Sequence, residues 1–273
     1  MSITSDFHMH TSYSGDSDTP MEDMIKSAIA KGLKEICITE HHDIDFIYEE
    51  GEPDDYFLVN TDAYLYDLLK MRQKYEGQIE IGFGVELGMQ PNLGRKLAAY
   101  SHQYEFDFII ASNHLAGGKD PYLKSYWEGI SEEEGYHLYF QDIAKCIRSF
   151  GNFDVYGHLD YVLRYGPTQN KNFHIEDYAS DIDAILNALI DNEKGIELNT
   201  AGWKYGLGAP HPCPEIIKRY KALGGEIITI GSDAHDPARI GADFDKAEEV
   251  LKACGFTHYT IFHSRIPEFK KLS

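Results

Sequence analysis

The sequence predicts an α/β fold, a single parallel (β/α) barrel, on three observations. Short apolar runs alternate with amphipathic stretches about seven times, and strands joined through helices lie parallel. Histidines and carboxylates follow almost every one of those runs. No proline-rich, low-complexity or repeated segment divides the 273 residues, a length that α/β barrels commonly fill as one domain, here 1–273. An open doubly wound sheet also fits the alternation, but its ligand site lies at one switch point, whereas a barrel gathers side chains from all its strand ends. Ligand-type residues after six strands favour the ring, with its site on the C-terminal face.

In chain order, the first strand ends in His8 and His10, separated by Met9. Residues two apart on an extended strand point the same way, so both imidazoles can converge on one ion. Thr19-Pro20-Met21-Glu22 predicts a helix start, with threonine as N-cap, proline at the first helical position and glutamate closing a capping box. The stripe Met21, Met24, Ile25, Ala28, Ile29 gives that helix one apolar face, and Gly32 ends it. Ile36-Cys37-Ile38 marks a buried strand over 35–39 that leads into Thr39-Glu40-His41-His42. Residues 43–60 are acidic and aromatic without a period, as in a rim loop.

Tyr64, Leu65, Leu68, Leu69 and Met71 predict a helix over 61–75, and a strand over 79–86 closes on Gly84-Val85-Glu86. A helix over 93–104 and a strand over 106–112 then lead to Ser112-Asn113-His114. The connection 115–130, rich in Gly, Tyr and Trp, exceeds the usual α/β loop, and such length is commonly functional. Ser131-Glu132-Glu133-Glu134 is a second capping box, opening a helix through 150. A strand over 153–158 ends in Gly157-His158-Leu159-Asp160, followed by a rim segment with Arg164. Ile182, Ile185, Leu186 and Leu189 form one face of a helix over 175–192. A strand over 195–199, a helix over 215–223 and a strand over 227–230 bring the chain to Gly231-Ser232-Asp233-Ala234-His235. A helix over 244–254 and a strand near 259–262 complete it.

With 45 acidic against 25 basic side chains the net charge is −20, a surface that repels phosphate backbones and anionic headgroups, so neither nucleic acid nor a membrane is an expected partner. No apolar run approaches the roughly 20 residues of a spanning helix, and the N-terminus lacks a secretory pattern, which points to the cytoplasm. Cys37, Cys146, Cys213 and Cys254 are widely spaced, suiting reduced, buried thiols rather than a thiolate metal site.

His8, His10, Asp16, His41, Glu86, His114, His158, Asp233 and His235 are nine candidate ligands. One ion takes roughly four to six ligands including water, so the set implies two or three divalent ions, and an imidazole–carboxylate shell accepts Zn, Mn or Fe. Closely spaced ions activate water, clamp phosphoryl oxygens and stabilise a leaving oxygen, which makes a phosphoester the expected substrate. The expected nucleophile is a metal-held hydroxide at Glu86, Asp233 and His235. The sequence contains no G-x-S-x-G elbow and no P-loop. Asp16 lies in the turn Ser14-Gly15-Asp16-Ser17, able to fold back over the ions; if it is only a turn aspartate, His42 or Asp18 takes the third site. His42 can bind metal, orient His41 or touch substrate. His102, His137, His174, His211, His258 and His263 lack such a context and are read as surface or core.

These motifs resemble those of the polymerase and histidinol phosphatase (PHP) superfamily over almost the whole chain. His8 and His10 match its opening H-x-H, Glu86 its G-x-E, His114 and His158 the next two histidines, and Asp233 and His235 its closing D-x-H. The segments 157–165, 197–202 and 231–237 resemble the histidinol-phosphatase branch. The resemblance implies a distorted (β/α)7 barrel with up to three metal ions that hydrolyses L-histidinol phosphate to L-histidinol and phosphate in histidine biosynthesis. It puts His41 rather than His42 at the ligand position.

Two positions depart from the pattern: Asp16 stands where a histidine is expected, and Lys204 where the family often has arginine. Lysine lacks the bidentate fork, so Arg164 is expected to carry more of the phosphate, with Lys204, Arg239 and His42 as further substrate contacts. Two alternatives remain open here. One is a different phosphoester: a nucleotide, a phosphotyrosine protein or a DNA end. The other is a metal-binding regulatory module without catalysis.

Overall fold

The computed structural model describes residues 3–48 and 53–273; residues 49–52, part of the expected rim loop, lie outside them. Seven parallel strands run in sequence order around one sheet: β1 (Ser5–Asp6), β2 (Glu35–His42), β3 (Glu80–Gly88), β4 (Phe108–Ser112), β5 (Val155–Tyr156), β6 (Gly195–Asn199) and β7 (Ile228–Gly231). The seam between β1 and β7 is closed by single hydrogen bonds rather than a full ladder. Phe7 N donates to Ile230 O (3.0 Å), Asp233 N to His8 O (2.9 Å) and His10 N to Ala234 O (2.9 Å). The expected ring is therefore present, and it is irregular where β1 and β5 shrink to two residues each.

Around the sheet lie α1 (Met21–Ala30), α2 (Thr61–Lys74), α3 (Gly94–Ser101), α4 (Lys124–Trp127), α5 (Glu132–Ser149), α6 (Ala179–Asp191), α7 (Ala201–Lys204), α8 (Pro214–Ala222) and α9 (Phe244–Ala253). The strands are buried on both faces, as parallel strands under helices must be, and β2 and β4 carry near-continuous apolar runs for that reason. The four cysteines are free and buried. No helix among the described residues is long and apolar enough to cross a membrane.

Several local expectations are revised. Ser131 forms the expected capping box with Glu134, but Thr19 caps nothing: α1 starts at Met21 behind Pro20, and the Thr19 hydroxyl donates to His235 O (3.0 Å). A tertiary acceptor has won over the local one, and Ser17 Oγ joins it on the same carbonyl (2.8 Å). On α2 only Thr61, Tyr64 and Leu68 are buried, while Leu69 is 51% exposed, because a stripe from 64 to 71 spans more of the helix than one contact face. The helix expected over 175–192 begins with a 3-10 turn, Ile175–Tyr178, and the connection 115–130 contains α4.

The final strand is half of an antiparallel hairpin, β8 (His258–His263) with β9 (Ile266–Lys271). β9 has almost no buried face and so offers no alternation to read. The hairpin meets the strand beginnings: Ile228 N donates to Thr260 Oγ1 (3.2 Å), and Phe262 packs on Phe108 with ring centroids 5.1 Å apart. It thereby covers the N-terminal end of the ring and leaves the C-terminal end to the site.

Asp6 is fully buried at the seam, where it accepts from Ser232 N (2.9 Å), Ser232 Oγ (2.5 Å) and Gly241 N (2.9 Å). Truncation would strand these donors in the interior. Asp6→Ala should therefore lower stability by about 3 kcal/mol, read as an earlier midpoint in urea unfolding.

Candidate metal centre

Strand alternation decides which side chains reach the C-terminal mouth. His41 at the end of β2 lies beside Glu86 of β3 in the sheet register, and both turn inward. His42 points the other way and stacks on Tyr100 of α3, with centroids 3.6 Å apart and planes at 5°. It is thus neither a ligand nor a substrate contact, which corrects the sequence expectation.

Glu86 is the meeting point. Its Oε1 lies 2.9 Å from His158 Nε2 and 3.3 Å from His114 Nε2. Its Oε2 lies 3.0 Å from His41 Nδ1, 3.3 Å from His8 Nε2 and 3.5 Å from His10 Nε2. Asp233 adds a second carboxylate, with Oδ1 3.7 Å from His8 Nε2 and 3.6 Å from His10 Nε2. It holds this place with a left-handed backbone (φ 52°), which aspartate tolerates better than most residues. Asp16 reaches over from its turn, with Oδ2 3.0 Å from His235 Nε2 and 3.6 Å from His41 Nε2.

Four overlapping groups have ligand atoms close enough to share an ion: His10, His41 and His235; His8, His10 and Asp233; His8, Glu86 and His158; and His41, Glu86 and His114. All nine candidates from the sequence are therefore gathered at one mouth, Asp16 at its more exposed edge.

Whether these groups suit cations is decided by where their protons must sit. His8 Nδ1 faces Glu197 Oε1 at 2.6 Å, so it carries the proton and turns a bare Nε2 lone pair to the centre. Ser14 gives its hydroxyl proton to Glu40 (2.5 Å) and can only accept from His10 Nδ1 (3.1 Å), which bares His10 Nε2 as well. The two Nε2 atoms are 3.1 Å apart. Likewise Asp43 Oδ1 takes the Nδ1 proton of His114 (2.6 Å), and Asp233 O that of His235 (3.0 Å), so their Nε2 lone pairs point at Glu86 and Asp16. Lone pairs aimed at each other and at carboxylates repel unless cations lie between them, and the set fits several divalent ions.

The titration behaviour has the same cause. Burial pushes Glu86 up, but His8, His114 and His41 outweigh it and hold the carboxyl well below its ordinary range. Burial disfavours charge on His114, yet Asp43 and Glu86 raise it to about 10. His10 is lowered to about 3 by burial and by its neighbours His41 and His235. The carboxylates thus draw positive charge onto His114 while His10 is held neutral with its lone pair bare, and both conditions favour divalent cations over protons.

Beside the cluster opens a cavity of about 390 Å³, lined among others by Arg164, Lys204, Asp120, Tyr161, Tyr165 and the ligands Asp16, His41, His114, His158, Asp233 and His235. Arg239 does not reach it. The chain turns at Asp236, whose carbonyl accepts from Arg239 N (3.1 Å), and the guanidinium pairs with Asp243 (3.4 Å). The expected role of Arg239 is withdrawn.

Sequence reasoning assigned no role to the residues that orient the ligands: Asp43 behind His114, Glu197 behind His8, and Ser14 behind His10. Glu197 also accepts from His158 N (2.9 Å) and Asn199 Nδ2 (3.1 Å). Gly231 allows this approach, since a Cβ there would strike both the Glu197 carboxylate and His8. A glycine immediately before the Ser232-Asp233 ligand turn was the available signal.

The PHP domain family matches residues 6–201. A protein of Clostridium acetobutylicum named "Probable histidinol-phosphatase" is 32% identical over 252 residues, 91% of this chain and 93% of its own. The Lactococcus lactis histidinol-phosphatase is 31% identical over 259 residues, 94% of this chain and 93% of its own. The chain belongs to the PHP family, in its histidinol-phosphatase branch. A crystal structure of the L. lactis histidinol phosphate phosphatase, complexed with zinc, L-histidinol and phosphate, shares this PHP barrel with a TM-score of 0.87 and 29% identity, covering 97% of this chain and 98% of that one.

Glu197→Gln should weaken metal affinity by about 10–100-fold through loss of the tautomer lock on His8. Competition with a chromogenic chelator would measure it.

Proposed function

We propose that the protein, acting as one domain over 1–273, is a metal-dependent phosphomonoesterase that hydrolyses L-histidinol phosphate to L-histidinol and inorganic phosphate, a step of histidine biosynthesis. The observation that carries this reading is the convergence of a buried imidazole–carboxylate cluster and a buried arginine on one cavity. The similarity to a phosphatase crystallised with zinc, L-histidinol and phosphate supplies the substrate.

His8, His10, Glu86, His114, His158 and Asp233 would hold two ions, with His41 beside Glu86, and Asp16 with His41 and His235 a third; Zn, Mn and Fe all suit the donors. When bound, such ions activate water and neutralise the charge that develops on the phosphoryl and leaving oxygens. Arg164 supplies fixed positive charge: burial disfavours its cation, but Asp233 and the surrounding tyrosines hold its proton above the ordinary range. It spends one N–H on Asp233 Oδ2 (3.2 Å) and lines the cavity, so further donors can meet phosphoryl oxygens in charge-assisted bonds. Lys204 borders the same cavity as a point charge. Asp120 and the rings of Tyr122, Tyr161 and Tyr165 suit the ammonium and imidazole of the leaving alcohol. The net charge of −20 disfavours a DNA end as substrate.

The purified protein should release phosphate from L-histidinol phosphate faster than from nucleotides or a phosphotyrosine peptide, lose activity on chelation and regain it with Zn, Mn or Fe. Equal rates across the panel, or turnover that survives chelation, would sink the reading. Arg164→Ala should raise KM for L-histidinol phosphate by roughly 10–100-fold with metal content unchanged, the loss expected for one charge-assisted contact.

A further inference from the structure

His211 belongs to none of the ligand groups, yet it is completely buried and its ring is committed at both nitrogens. We infer that His211, oriented by Asp160, is a positioning residue that sets the attitude of the Arg164 guanidinium toward the phosphoryl group. This rests on the reading of Arg164 given above.

The backbone of His211 is pinned to the end of β6: its N donates to Asn199 O (2.8 Å), and its O accepts from Asn199 N (2.7 Å). Its Nδ1 faces Asp160 Oδ1, and the other oxygen of Asp160 accepts from Cys213 N (2.7 Å). A carboxylate can only accept here, so Nδ1 carries the ring proton and Nε2 presents a lone pair. Arg164 Nε donates to that lone pair at 3.0 Å. Burial, aided by Arg164 and opposed by Asp160, lowers the basicity of His211, so the ring stays a neutral acceptor beside the guanidinium.

The grip on Arg164 is then complete in three directions. His211 holds the Nε edge, and Asp233 Oδ2 takes one Nη2 proton at 3.2 Å. The rings of Tyr161 and Tyr205 lie 4.9 and 4.3 Å from the guanidinium carbon. Of the five N–H groups of a guanidinium these contacts consume two, and the fixed plane directs the rest. The Asp233 contact alone leaves the group free to pivot about that bond. The His211 contact removes the pivot, which matters because a planar fork gains over a point charge only when its plane is set.

A purely structural histidine and a positioning one are separated by coupling to Arg164. His211→Met keeps the volume but offers Nε only a weak thioether acceptor, whereas His211→Gln places an amide oxygen within reach. Steady-state kinetics and inhibition by inorganic phosphate are measured for each, in the parent and in the Arg164→Ala background, with metal content determined alongside. In the parent, His211→Met should raise KM and the phosphate Ki about tenfold with kcat and metal content near the parent, and His211→Gln should return both to within about threefold.

In the Arg164→Ala background neither substitution should change KM or Ki further. Parental values for His211→Met overturn the inference, and so does an equal factor in both backgrounds, which would mean that His211 acts by another route. If His211→Met does not fold, Asp160→Asn gives the same reading. Its amide lets the ring exchange tautomers and present Nε2–H to the Arg164 N–H, and its effect must again vanish without Arg164. Should Arg164→Ala itself leave KM and Ki unchanged, the assignment of phosphate to Arg164 fails and the inference falls with it.

Discussion

Glu86 is an anion completely removed from water, with five imidazoles around it. That placement constrains the rest of the molecule. A buried carboxylate is tolerable only with compensating positive charge and satisfied oxygens. Here the compensation must come from the centre, because the outer nitrogens of His8, His10 and His114 are already committed. Glu197, Asp43 and Ser14 take the Nδ1 protons of His8, His114 and His10, and Asp233 O takes that of His235. The orienting shell is therefore what makes the inner shell a cation site rather than a network of hydrogen bonds. Its anchors are strand ends and strand-end turns, the stiffest positions a barrel offers for this purpose.

Much of the centre was legible because period-two alternation is a local rule. His8 and His10 need only an extended strand to share a face, whereas the residues alone left His41 and His42 open, the family resemblance favoured His41, and the structure stacks His42 on Tyr100. The strand-to-helix rhythm was legible for a similar reason, since parallel strands buried on both faces carry compact apolar runs. What the sequence hid depends on closure of the ring. Glu197 meets His8 across 189 positions of chain, and His211 meets Asp160 across 51. No window of sequence contains either pair. Thr19 is the converse case: its local signature was sound, but a carbonyl 216 positions away took the hydroxyl.

Arg239 and Arg164 show why residue type and proximity in sequence do not locate a substrate contact. Both follow ligand motifs by a few residues. The turn at Asp236 carries Arg239 outward to Asp243, whereas the 3-10 turn at Tyr161–Arg164 folds Arg164 back over the centre between two tyrosine rings. The difference lies in turn geometry, which apolar periodicity does not encode.

The seam between β1 and β7 has a temporal side. The first strand of the ring is made before all the others, yet Asp6 finds Ser232 only after 226 further positions have been made. Until then β1 has one neighbour, Asp233 and His235 do not exist, and the lone pairs of His8 and His10 have no second wall. Long-range closure of this kind is slow, and it exposes an unpaired strand edge while it waits. Seven of the nine ligand side chains therefore precede the segment that brings Asp233 and His235. The last wall of the ion site is thus added by the same late segment that closes the ring.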